Sequence, residues 1–178
     1  MTQMPGIFDC YFAHLLDGYS TVVIAIAVGY MVAALSWGMA KDWRHAWGLM
    51  ALGCGVILLY VTVFSRPTGQ MVKYCLLPFA SYSQIENGDG YLLPQVIMNV
   101  VVFVPIGFLI KAAFNEWNWG KAIVCGMSLS MTIEALQLIL MKGTAELDDV
   151  IHNTIGTVIG IAAYEMLRSC MGVFKRCL

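Results

Sequence analysis

Between Glu134 and Gly160 the sequence sets Glu134, Gln137, Lys142, Glu146, Asp148, Asp149, His152 and Asn153 inside and between two apolar segments. These residue types support three kinds of chemistry. A carboxylate takes a proton, neighbouring carboxylates hold a cation through oxygen, and amides hydrogen-bond a ligand. Glu134 and Gln137 are spaced i, i+3, and Asp149 and Asn153 i, i+4, so on helices each pair shares a face. Gly156 and Gly160 extend the second stripe as a small-residue seam for a neighbouring helix. An acidic residue at the centre of a membrane helix costs about 2.5–3.5 kcal/mol, taking the aspartate value as a guide. Glu134 is therefore expected to face protein or water.

Each group also has a plainer reading. Glu134 is either a proton acceptor or ligand group, or a structural partner of Arg66 or Lys142. Arg66 either grips a phosphate or carboxylate head group or neutralises the acidic cluster. Asp148 and Asp149 either hold a divalent cation or stabilise a helix start, where the dipole favours negative charge. Asp148 also fits an N-cap. Asn99, Gln137 and Asn153 either bind a ligand or bond one another across helices, at about 0.6 kcal/mol per bond in membranes. Glu146 and His152 read as peripheral.

The rest of the chain must position these groups. It is 60% hydrophobic and 12% charged, against roughly 45–50% apolar and about 25% charged for soluble domains. That composition points to an integral membrane protein, read as one unit over residues 1–178. Its fold class is expected to be all-α: a polytopic membrane helix bundle of about five transmembrane helices. The spans fall near 19–40, 46–64, 92–114, 121–141 and 149–167, each close to the length that crosses a core of about 30 Å. Residues 6–18 form a short interfacial segment, and the absence of Lys and Arg there argues against a cleavable leader. The connection 65–90 carries an apolar, aromatic middle from Tyr74 to Tyr82, which suggests a loop lying partly on the membrane, and closes with the turn signal at 87–90. Pro105 and Gly107 allow a bend in the third span. The six cysteines show no CxxC pairing, and no phosphate loop, nucleophile elbow or zinc-protease motif is present.

Five spans with the N-terminus outside and the C-terminus cytoplasmic put Lys41, Arg44, Lys111, Lys121, Arg168, Lys175 and Arg176 inside, and Arg66, Lys73 and Lys142 outside. That follows the positive-inside rule. Counting about 1.5 Å per residue, Arg66, Asn99, Glu134, Gln137, Asp148, Asp149 and Asn153 then all fall in the outer half of the membrane. The expectation is one polar cavity open to the outside.

The blocks Val61 to Pro67 (VTVFSRP), Leu77-Pro78-Phe79, Asn99 to Leu109 (NVVVFVPIGFL) and Glu134 to Gly160 are arranged in the order and spacing of a known family. Over roughly residues 60–165 the chain resembles the VanZ-like family of small bacterial membrane proteins. One departure is Lys142, where the family often has Arg; lysine lacks the bidentate fork. The family takes its name from a protein associated with low-level resistance to teicoplanin, a lipid-tailed glycopeptide. The resemblance implies a cell-envelope role in the bacterial cytoplasmic membrane and a site at Arg66, Asn99, Glu134, Gln137, Asp148, Asp149 and Asn153.

Three functions follow as expectations. The first is a binding protein that accepts an amphiphilic antibiotic or a lipid-linked envelope precursor among membrane lipids. The second is an enzyme on the head group of such a precursor, with Glu134 as general base, Asp148 and Asp149 positioning a divalent cation as metal ligands, and Arg66 stabilising negative charge. The third is an accessory subunit whose polar network only fixes helix register. No nucleic-acid partner is expected.

Overall fold

The computed structural model describes residues 18–177 apart from 42, 70, 72 and 89–91. The expected interfacial segment 6–18 lies outside that range except for Gly18. The chain begins with α1 (Gly18–Ala40) and α2 (Trp43–Leu59), which runs on through a π-helical turn, Tyr60–Phe64. A strand β1 (Lys73–Cys75) and a short helix α3 (Ala80–Glu86) follow, then α4 (Leu92–Ala113), α5 (Trp119–Leu140), a strand β2 (Thr144–Glu146) and α6 (Leu147–Cys177). The all-α expectation holds, since the strands are three residues each. Among the described residues, four helical stretches are long and apolar enough to cross a membrane: Trp43–Phe64, Leu92–Ala113, Trp119–Leu140 and Leu147–Met171. The chain is thus a multi-pass membrane protein. In α1, which covers the first expected span, Val28–Met39 is a shorter apolar stretch.

Boundaries shift where polarity misled the hydrophobic pattern. The last helix starts at Leu147 and runs 31 residues, through the basic tail, because intrahelical bonds do not require apolar side chains. Pro105 sits inside α4 without ending it; its missing N–H removes the usual partner of the Val101 carbonyl. The loop after α2 holds the two elements that hydropathy did not mark. Strand β1 pairs in parallel with β2, Lys73 opposite Thr144 and Cys75 opposite Glu146. Three-residue strands are too short to show an alternating pattern.

Helix α4 packs against α2, α5 and α6, most extensively against α6. Glycine makes that contact possible. A Cβ on Gly156 would collide with the Val100 carbonyl oxygen, one on Gly160 with that of Val104, and one on Gly107 with that of Thr157. The core between the helices comprises Leu58, Val63, Phe103, Ile106, Ile110, Ala122, Ile133 and Ile161.

The two ends of the bundle differ. At one, Arg44 donates from Nε to the Ala113 carbonyl at 3.0 Å and pairs with Glu116. Lys111, buried, donates to the Asn115 and Trp117 carbonyls at 3.1 and 2.5 Å and pairs with Glu165 at 3.1 Å. At the other end lie Arg66, the start of α4, the end of α5 and the start of α6.

Candidate functional site

The site is built from the last turns of α2 and α5 and the first turns of α4 and α6. The π-helical turn after α2 changes which carbonyls are available. Thr62 and Ser65 hydroxyls donate back to the Leu58 and Val61 carbonyls at 2.7 and 2.6 Å. Gln137 Nε2 donates to the Thr62 carbonyl at 3.0 Å, and Lys142 Nζ to the Phe64 carbonyl, also at 3.0 Å. Those bonds tie the end of α5 to the segment that delivers Arg66. Turns of this kind recur at functional sites.

Arg66 is the cation whose charge acts on Glu134, Glu146 and Asp149. Its guanidinium packs on Gly143, where an added Cβ would sit 2.9 Å from Nη1. Gly143 has φ of 126°, so the turn itself needs glycine there. Among the described residues Arg66 makes no hydrogen bond and no ion pair within 4 Å.

Glu134 is buried on α5 and accepts the backbone N–H of Glu146 on Oε2 at 2.8 Å. Its Oε1 has no hydrogen-bond partner among the described residues. Glu146, in β2, therefore stands inside the group rather than at its edge. Burial pushes its carboxyl above the ordinary range, the Asp148 charge adds to the shift, and Arg66 opposes it. Asp149 opens α6 and accepts from Asn99 Nδ2 at 2.6 Å. The Gln95 side chain lies beside it. Gln95 and Asn99 are i, i+4 on α4, a spacing present in the sequence but not used to find Gln95.

The remaining expected residues point elsewhere. Asp148 is buried and accepts the Phe79 and Ser81 backbone N–H groups at 2.5 and 2.8 Å, one on each oxygen. It closes the start of α3 onto α6. One turn on, His152 Nε2 meets the Tyr82 hydroxyl at 3.0 Å. Asn153 donates to Ser130 Oγ at 2.8 Å, deep between α5 and α6. Gln137 faces Thr62, and its Oε1 is buried without a hydrogen-bond partner. Asp148 and Asp149 thus turn to different partners. Among the described residues no three His, Cys, Asp or Glu side chains are grouped to hold a metal ion.

The structure brings together Arg66, Asn99, Glu134 and Asp149, and adds Gln95 and Glu146. Beside them lies a cleft of about 390 Å³ lined by Pro67, Gly69, Met71, Lys73, Met141, Gly143 and Thr144. Gly143 separates it from Arg66, and neither Glu134 nor Asp149 lines it.

A family model described as VanZ/LLP1 matches residues 49–168, which contain every residue of this site. The chain is also similar to the protein named Protein VanZ of Enterococcus faecium, 34% identical over 81 residues, covering 46% of this chain and 50% of that relative. The match thus spans about half the length of that curated relative. No solved structure matches.

Proposed function

The chain belongs to the VanZ/LLP1 family, and from that premise we propose that it binds the polar head of an amphiphile in the cytoplasmic membrane of a bacterium. The ligand class is a lipid-tailed glycopeptide of the teicoplanin type, or a lipid-linked envelope precursor, and the outcome is resistance. One observation carries this reading: the Arg66 guanidinium is half-buried beside three carboxylates yet has no partner among the described residues. Guanidinium presents five N–H donors in a fork that fits carboxylate or phosphate. A cation kept only to balance charge would be expected to close onto one of those acids. Gln137 Oε1, without a partner among the described residues, adds a buried acceptor at the same end of the bundle.

A second reading rests on Glu134. With Oε2 held by the Glu146 N–H and Oε1 free, the carboxylate is oriented as a general base would be. The same site would then act on a lipid-linked head group.

The test is resistance of cells carrying the wild type, Arg66→Gln or Glu134→Gln at equal membrane abundance. Arg66→Gln is expected to lower the inhibitory concentration of teicoplanin to that of cells without the protein. Full resistance in Arg66→Gln would sink both readings. Glu134→Gln separates them: the base role demands loss of protection, whereas binding keeps most of it. Loss of protection on chelation of divalent cations would bring a metal into the site.

A further inference from the structure

The cap formed by Met71, β1 and the start of α3 has an outer face with no described residue packed against it. Leu77 is 72% exposed, Met71 71%, Leu76 66%, Tyr74 65% and Phe79 60%. Its inner face is tied down by polar bonds, the Asp148 carboxylate to the Phe79 and Ser81 N–H groups and the Tyr82 hydroxyl to His152. The apolar side chains are thus turned outward by a fixed backbone. The conformation of Phe79 in the cap, and of Met141, which lines the cleft with Met71, supports this. Phe79 and Met141, at φ of 63° and 53°, are the non-glycine residues with positive φ among those described. Both are apolar and exposed. A bulky residue in that region is strained and persists only where its surroundings enforce it.

We infer that Met71 and residues 73–82 are seated in the head-group region of the bilayer, with Met71, Tyr74, Leu76, Leu77 and Phe79 against acyl chains and Lys73 at the lipid phosphates. Continuity with the lipid-facing surface selects lipid as the occupant. Ile139 at the end of α5 is 71% exposed, and Leu93 and Ile97 at the start of α4 are 49% and 51% exposed. Helix α3 packs on α4, and β1 on β2, which packs on α5, so the cap prolongs the same apolar surface. Aromatic rings at its edge suit the interface, where an apolar body meets a polar tip. Lys73 is the one charge in the segment and suits a head group through its snorkelling stem. The cleft bounded by Met71, Lys73 and Met141 then opens at head-group depth. An amphiphile reaches it from the leaflet, tail still in lipid. This inference depends on the membrane spans and not on which ligand the site takes.

Leu77→Trp in the full chain, reconstituted into phosphatidylcholine vesicles, tests the seat. Its fluorescence is read as the difference from wild type, with and without lipid brominated near the head of the acyl chain. The expected result is loss of more than half of the added fluorescence to brominated lipid, and emission to the blue of N-acetyltryptophanamide in buffer. Quenching by aqueous iodide and not by bromolipid would overturn the inference, placing the face in water. Protection from both quenchers would overturn it as well, and assign the face to a protein partner. Met71→Trp gives the same reading if Leu77→Trp fails to insert.

Discussion

Glu146 shows how a carboxyl is perturbed where a short strand enters the site. It is half-buried, lies near Asp148 and lends its own N–H to Glu134. Because burial raises its folded-state pKa above the ordinary value of 4.5, the folded chain holds that proton more tightly than the unfolded chain. Stability from this group is full at low pH, falls as pH rises above about 4.5, and levels off beyond the raised value. Thermal melts of wild type and Glu146→Gln across that range check this: the variant is expected to lack the downward slope that Glu146 supplies and to be relatively more stable at neutral pH. At this scale the sequence was legible where a residue type is rare in oil. Arg66, Glu134 and Asp149 stand out for that reason. Glu146 did not, because its place depends on a backbone N–H in a three-residue strand, which no side-chain pattern announces. Asn153 was legible as buried but not in its partner, since Ser130 is small and looks like ordinary packing.

Among the elements, the helix pair α4 and α6 and the cap clamp make the most definite demands. Gly160→Ala places a methyl group against the Val104 carbonyl. Backbone cannot yield as a side-chain end can, so the helices must separate at a cost of about 1–3 kcal/mol. Gly29 has nothing within 4 Å of an added Cβ, and Gly29→Ala on α1 is expected to be neutral or slightly stabilising. Comparing the two melting midpoints in one detergent separates helix packing from helix propensity. Repeat spacing at 156 and 160 made that seam readable, because small residues four apart share a face. The clamp was less readable. Asp148 resembles both an N-cap and a ligand, and only the fold shows its oxygens on the Phe79 and Ser81 N–H groups. Asp148→Ala leaves those donors without partners, a loss of about 1–3 kcal/mol confined to the cap. Amide exchange over 76–86 is expected to accelerate while that of α4 and α6 stays unchanged. Equal acceleration everywhere would mean that the carboxylate supports the whole bundle.

Across the whole molecule, the two bundle ends divide the polar groups by purpose. One end satisfies its charges internally: Lys111 is buried with Glu165 and two carbonyls, and Arg44 is held by Glu116 and the Ala113 carbonyl. The other end keeps Arg66 among acids with no hydrogen-bond or ion-pair partner among the described residues. Counting residues from span ends was enough to forecast which residues share an end, since helix rise is fixed. It did not forecast which side chains meet, because facing depends on packing. The orientation argument then joins the two. Lys41, Arg44, Lys111, Lys121 and Arg168 gather at the internally paired end, and a basic excess marks the cytoplasmic side. The prediction is that the site end faces out. Thiol labelling of intact cells decides this. A membrane-impermeant maleimide is expected to add label to Asn87→Cys, at the exposed end of α3, and to reach the exposed Cys170 on α6 only after permeabilisation. The reverse pattern would turn the site to the cytoplasm. A head group could then reach Arg66 only after crossing the bilayer, and capture of an external antibiotic would be abandoned.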